Sequence, residues 1–368
     1  MFIYLLLLLY IYIIGYIFLY RFKSNEKSKL YFLFLAFGAM TLILGFRGNR
    51  VGEDTDMYLR IAEIAKHKTW KSVIESFPNM TWSIDQWGYH SEISTFFFIL
   101  VKLIVGLFGS SQAVLFVCSL VICTGFACFI YQNTNRVFLA TYVFVCDSIF
   151  MMSFNGMRQC LAMAIGLQAY TEIKEKKYVN ALIYIAIATL FHSVSIVYLL
   201  FFPIMIYKNK KRELMMVIAT ALAFPILLIY IQTLVAMFSP YLASYFSTSF
   251  WEASLGGTVF LFFFIILSSV YSFLFIKREI LAEQFDVLFF VILQLTLEIA
   301  GIKATMISRL ALYFRAFLIL FFPLIEERFF KKNNRRLYIV LLFMLITMEY
   351  LSYAKSETRL YVPYWMYI

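Results

Sequence analysis

Apolar runs of about 18 or more residues recur along the whole chain, each long enough as an α-helix to cross a hydrocarbon layer of roughly 30 Å. Inside such a layer the backbone finds no water to bond, so runs of this kind fold as helices whose N–H and C=O groups pair internally. Of the 368 residues, 63% are hydrophobic and 14% charged, against about 45–50% apolar in soluble domains. A water-soluble fold is excluded. The sequence predicts an all-α, polytopic integral membrane protein of roughly 11–13 transmembrane or re-entrant helices, forming a single transmembrane domain over 1–368. Candidate runs lie near 2–20, 29–46, 92–108, 111–131, 137–152, 157–173, 178–191, 194–207, 213–236, 257–276, 285–302, 307–325 and 337–351. The first has no basic residue before it and no small-residue cleavage site after it, so it reads as a retained span.

Orientation follows the basic residues. Clusters at Arg21/Lys23/Lys27/Lys29, Lys174/Lys176/Lys177, Lys208/Lys210/Lys211/Arg212, Lys277/Arg278 and Arg328/Lys331/Lys332/Arg335/Arg336 belong in the cytoplasm by the positive-inside rule. The polar loop 47–90 then lies outside. Four candidate runs separate that loop from Lys174, one too many for an odd number of crossings, and 137–152, the shortest and the carrier of Asp147, reads as re-entrant or tilted. The two short runs over 178–207 read as a helical hairpin entering from the cytoplasm, with His192 at its tip. The net charge of +11 is dispersed among these clusters and forms no stripe for nucleic acid. Five cysteines in apolar segments and three separated histidines give neither a disulfide framework nor a metal-ligand spacing.

Four constellations carry potential chemistry. In Gly45 to Tyr58, a span end leads into glycines, Arg47, Arg50 and the acids Glu53, Asp54 and Asp56. Arginine presents a planar fork to phosphate, and carboxylates can hold sugar hydroxyls or act as a base; the alternative is a solvated, salt-bridged turn. In Ser153 to Gln159, Asn155 reads as an N-cap and Arg158 stands in the first helical turn, which makes an anion site suited to a diphosphate. Ala162, Gly166 and Ala169 follow on one face, which permits close approach of another helix or a lipid tail. In Leu190 to Ser195, His192 at a helix break can take a proton from a hydroxyl, unless it is simply a satisfied hydrogen-bonder. In Ser308 to Arg315, Arg309 and Tyr313 share a helix face toward a polar cavity, unless Arg309 snorkels to the interface, and Arg315 points elsewhere. Lys102, Glu298 and Lys303 are intramembrane charges without an assigned role.

Taken in order, Arg47 with Gly52-x-Asp54-Thr55-x-x-Tyr58, Asn155-Gly156-Met157-Arg158-Gln159-x-Leu161-Ala162, Phe191-His192-Ser193, Arg309-x-x-x-Tyr313 and Val362-Pro363-Tyr364 resemble the EpsG-like family of polysaccharide polymerases. The family's Gly-Thr-Asp-Thr reads Gly52-Glu53-Asp54-Thr55 here, which keeps Asp54. The resemblance implies a Wzy-type polymerase of capsule, exopolysaccharide or O-antigen, a multi-pass protein of the bacterial cytoplasmic membrane. Such an enzyme joins oligosaccharide repeat units carried on undecaprenyl diphosphate at the outer membrane face. His192, Asp54 and Arg158 are then the expected catalytic residues. Arg47, Arg50, Tyr58, Asn155, Gln159, Arg309 and Tyr313 are the expected substrate-binding ones, with no metal and no cofactor. Expected partners are the lipid-linked oligosaccharide, membrane lipids, and the flippase and chain-length regulator of the same pathway, but no nucleic acid. A lipid-linked oligosaccharide flippase, a glycan ligase and a non-enzymatic scaffold are the competing readings; the first would show a two-fold repeat of its halves.

Overall fold

The computed structural model describes residues 2–21, 25–75, 81–86, 89–206, 255–275, 284–301, 305–328, 332–355 and 361–363. The run near 213–236, most of the stretch 238–256, the basic clusters at 208–212 and 277–278, and Lys23, Lys303, Lys331 and Tyr364 lie outside the described residues. The chain opens with α1 (Phe2–Gly15), prolonged to Arg21 in wider π-helical turns, and α2 (Glu26–Gly45). The stretch after α2 holds α3 (Thr55–His67), α4 (Trp70–Glu75) and an antiparallel hairpin of β1 (Thr81–Gln86) and β2 (Tyr89–Ser94). Then come α5 (Thr95–Phe108), α6 (Gln112–Asn133), α7 (Val137–Cys146), α8 (Ser148–Met152), α9 (Met157–Gly166), α10 (Gln168–Lys174) and α11 (Tyr178–Phe191). A 3₁₀ stretch (Ser193–Leu200) leads to α12 (Phe201–Ile206), and α13 (Leu255–Phe275), α14 (Phe285–Gly301), α15 (Thr305–Arg315), α16 (Leu318–Arg328) and α17 (Lys332–Ala354) complete the helices among the described residues.

The protein is an all-α polytopic membrane protein. Among the described residues four helical stretches, Phe2–Arg21, Glu26–Gly45, Gln112–Asn133 and Asn334–Ala354, are long and apolar enough to cross a membrane. The bent pair of α15 and α16, with 43° between its arms, meets the same length and composition when its arms are taken together, as a broken span or a re-entrant loop. Phe2 and Phe34 stand largely exposed on these helices, and Leu107 on the shorter apolar helix α5, as side chains in contact with lipid do. The run near 92–108 starts later as a helix, at Thr95, because β2 occupies its first residues. The run 157–173 is likewise divided at Leu167 into α9 and α10.

Packing divides the chain into two compact units: Met1–Asn133 with Phe150–Phe201 and Ala354–Ile368, and Thr134–Ile149 with Phe202–Tyr353. Small residues set the first. A methyl group added at Gly125 would lie 2.8 Å from the Ala164 carbonyl oxygen, so α6 and α9 touch backbone to backbone. At Gly166 it would lie 2.4 Å from the Tyr198 ring and 3.3 Å from Ala188. The small-residue face of α9 thus receives a helix, the hairpin of α11 and the 3₁₀ stretch, rather than a lipid tail. That hairpin turns at His192, whose φ of −150° and ψ of 110° end α11. The fourteen residues of α11 reach about 21 Å at 1.5 Å per residue. Lys102 also finds its role here: its ammonium donates to the Ala65 and Lys68 carbonyls at 2.8 and 2.5 Å and caps the end of α3, where a cation meets the negative end of the helix dipole.

In the second unit α7 runs for ten residues and stops at Asp147, which has extended backbone (φ −75°, ψ 161°). Arg315, at the end of α15, is buried together with three carboxylates. Its Nε lies 2.7 Å from Asp147, Nη1 2.5 Å from Glu298 on α14, and Nη2 2.8 Å from Glu349 on α17. Glu298, without a role in the sequence reading, is therefore one leg of a four-residue ion cluster. Near the basic clusters, buried Glu326 pairs with Arg136 at 3.1 Å and with Arg335.

Candidate functional site

The site grows from the end of α2. Gly45 and Arg47 offer carbonyls that continue no helix, and the side chain of Gln112 donates to both, at 2.7 and 3.0 Å. Arg47 itself is fully buried. Its Nη1 donates to the Leu44 carbonyl at 2.5 Å and its Nε to the Thr55 hydroxyl at 3.0 Å. Nη2 lies 3.9 Å from the Met157 sulfur, and the guanidinium stands 5.7 Å over the Phe154 ring. Burial lowers its pKa to about 10, which still leaves it cationic at neutral pH. A charge so enclosed is kept only where it is hydrogen-bonded, and Arg47 ties the first constellation to the second.

The two loops meet at a glycine. Gly52 has φ +92°, and a methyl group there would lie 2.3 Å from the Phe154 carbonyl oxygen. The Thr55 hydroxyl donates to the Val51 carbonyl at 2.6 Å and lies 3.3 Å from the same Phe154 oxygen. Gly52→Ala is therefore expected to cost about 2 kcal/mol or more, since it combines left-handed backbone strain with a clash against a carbonyl that no rotamer relieves. Thermal unfolding in detergent checks this beside Gly106→Ala, where nothing lies within 4 Å. The first variant melts lower; the second melts as the wild type or slightly higher.

Asn155 does not cap α9. The cap position is Gly156, without a side-chain bond, and the Asn155 side-chain oxygen Oδ1 instead accepts from the Glu53 N–H at 3.1 Å. The loop of the first constellation competes for that acceptor and wins. Arg158, in the first turn of α9, lies 6.0 Å over the ring of Phe97 and close to the Tyr58 hydroxyl. Burial pushes the Tyr58 hydroxyl up to about 12, with the Arg158 charge pulling down and Asp54 pushing up. Tyr58 consequently keeps its proton at neutral pH. Gln159 is buried beside them; Arg50 and Glu53 are exposed and Asp54 partly so. Asp56 is engaged on the outer face of α3, 2.7 Å from Arg60.

His192 is half-buried at the hairpin turn, its N–H donating to Ala188 and its carbonyl accepting from Ser195. The start of α5 links this turn to the rest. Ser94 donates to the Leu190 carbonyl at 2.5 Å, and Phe96 packs edge to face on Phe191 with centroids 5.1 Å apart. The next residue, Phe97, packs on Tyr58 at 5.9 Å and lies under Arg158. One helical turn of the first unit thus touches three of the four constellations.

Arg309 and Tyr313 belong to the second unit. Arg309 is exposed and Tyr313 wholly buried, so the two, though four residues apart, do not open onto one surface. Among the described residues no group of three or more His, Cys, Asp or Glu is arranged to hold a metal ion. Sequence reasoning gave Thr55 no role of its own and missed Gln112, Phe97 and the pairing that makes the Arg315 cluster. A signal existed for the last: Asp147, Glu298, Arg315 and Glu349 each stand in an apolar run, where an isolated charge needs a partner.

No curated protein and no protein of known structure matches the chain. The EpsG family model matches residues 30–366, which takes in every residue of the three joined constellations together with Arg309, Tyr313 and Pro363. By that match over nearly its whole length, the chain belongs to the EpsG family.

Proposed function

We propose that the protein is a polysaccharide polymerase that joins oligosaccharide repeat units carried on undecaprenyl diphosphate at the outer face of the bacterial cytoplasmic membrane. Family membership points to a polymerase-type role in polysaccharide synthesis. The observation that carries the finer reading is the gathering of Arg158, Tyr58 and the His192 turn around the start of α5. The growing chain is the donor. An acceptor hydroxyl attacks the anomeric carbon, its proton passes to His192, and the bond from that carbon to the lipid diphosphate breaks, its electron pair leaving with the phosphate oxygen. Arg158 and Arg50 face the charge that develops on the leaving group, and Tyr58 donates a hydrogen bond beside them. Arg47, buried and internally bonded, holds the loop rather than the ligand. Asn155 does the same through the Glu53 N–H.

The test is chain growth, read on a gel, by purified protein given a lipid-linked repeat unit. Arg158→Lys, at equal expression, is expected to lose activity by about 1–3 kcal/mol of transition-state stabilisation, because an ammonium keeps the charge but not the fork that binds two phosphate oxygens. Wild-type polymer length and yield from this variant would remove Arg158 from the site. In a deletion strain, lipid capped by a single unit supports the polymerase. Lipid-linked unit accumulating on the inner side supports a flippase, and unattached polymer a ligase.

A further inference from the structure

The segment Tyr361–Pro363 lies far from Arg47 in sequence and beside it in the first unit. The Val362 carbonyl accepts from the Gly48 N–H at 2.7 Å, and Pro363 pairs with Arg47 as an isolated antiparallel bridge. Tyr361 sets its ring edge to face against Tyr4 of α1, centroids 6.5 Å apart, and Tyr4 does the same against Phe154 at 6.0 Å. Both tyrosines stand close to the Arg47 charge. Burial raises the Tyr361 hydroxyl above its ordinary pKa, so a neutral ring faces the cation.

This contact adds a backbone tie to a loop otherwise held by side chains, among them Arg47, Gln112, Asn155 and Thr55. Residues 46–54 form neither a helix nor a ladder, and their internal backbone bonds are Val51 N–H to Gly48 at 3.1 Å and Thr55 N–H to Gly52 at 3.4 Å. Gly48 is the hinge between buried Arg47 and exposed Arg50, and Val362 fixes it from outside. The sequence of the segment suits the task. Proline presets its own φ and drives the residue before it into extended backbone, so Val362-Pro363 stays strand-like without a neighbouring ladder.

We propose that Tyr361–Pro363 is a positioning strand of the site, which holds the Arg47–Gly52 turn so that Arg50 faces the leaving diphosphate. The proposal rests on the polymerase reading for what Arg50 meets, though not for the contact itself. Its effect falls on turnover more than on binding. Sugar and lipid contacts hold the substrate, whereas the arginine contact strengthens as charge collects on the phosphate.

Two altered chains test it: one lacking residues 356–368, and the double variant Val362→Gly/Pro363→Gly, which keeps chain length and the carbonyl but loses the stiffness. Hydrogen exchange in detergent, followed in a peptide covering 46–52, is expected to quicken by about tenfold or more at Gly48 in both, while the core of α6 exchanges as before. Chain growth is expected to show kcat lowered by about tenfold with KM within about threefold, and an added synthetic peptide of residues 356–368 to restore protection and turnover in the shortened chain. If the shortened chain does not fold, the double variant alone carries the test. Unchanged exchange at Gly48 overturns the strand, and quickened exchange with unchanged kcat overturns its positioning role. A wild type that grows no polymer overturns the polymerase reading instead, and the exchange experiment still decides the contact.

Discussion

Arg315→Met is expected to leave little folded protein in the membrane, a loss of about 3–5 kcal/mol, because it strands three buried carboxylates without their cation. All four members of the cluster are buried, Glu349 completely. Methionine fills the volume and supplies no donor. Lysine keeps the charge, but its compact ammonium cannot reach Asp147, Glu298 and Glu349 from three edges as the guanidinium does, so Arg315→Lys should fall between methionine and wild type. The opposite substitution has the opposite character. One cation faces three acids, and among the described residues Asp147 Oδ2 and Glu349 Oε2 have no hydrogen-bond partner, so the acids outnumber the donors that hold them. Glu349→Gln removes one of those acids while its amide oxygen still accepts from Nη2, and should cost about 1 kcal/mol or less. Fluorescence-detected size exclusion and thermal unfolding in detergent separate the two. If Arg315→Met elutes and melts as the wild type, or Glu349→Gln is the worse of the pair, the cluster does not hold the second unit together.

The cluster also shows where reading the sequence stops. Apolar length makes the fold class legible, since it follows from the cost of unpaired backbone in lipid. The end of α11 at His192, with a 3₁₀ stretch after it, falls where the two short apolar runs meet. What sets Arg315 against Asp147, Glu298 and Glu349 is tertiary, with three separate helices and the break after α7 each supplying one residue, and no spacing in the chain encodes that meeting. The two arginines of the loop after α2 divide for a similar reason. Arg47 and Arg50 read alike as phosphate ligands, but Thr55, Leu44 and Met157 close around the first and leave the second exposed. Asn155 reads as a cap because its local sequence favours one, and a distant N–H takes its oxygen. Local propensity yields there to a long-range bond that buries two loops together.

His192→Ala is expected to lower turnover by about a hundredfold or more while the lipid-linked donor still binds, if the imidazole takes the proton of the acceptor hydroxyl. Its place supports that role: it stands at a helix turn, half-buried, joined through Leu190 and Phe191 to the helix start that also meets Tyr58 and Arg158. Asp54 is the rival base, partly exposed and near enough to Tyr58 to act on its hydroxyl. The sign of the pH dependence tells a base from a prop. A base must be unprotonated, so activity should fall as pH drops through the range near neutrality where imidazole gains its proton. A carboxylate base gives the same slope only at much lower pH, near its own pKa of about 4. His192→Gln adds the second discriminator, since glutamine can keep a hydrogen bond at the turn but cannot accept a proton there. Should His192→Gln retain most of the activity with the acid limb unchanged, His192 supports the hairpin and the proton goes elsewhere. Asp54→Asn would then be the variant expected to lose turnover, whereas with His192 as base it should weaken the site without removing the limb near neutrality.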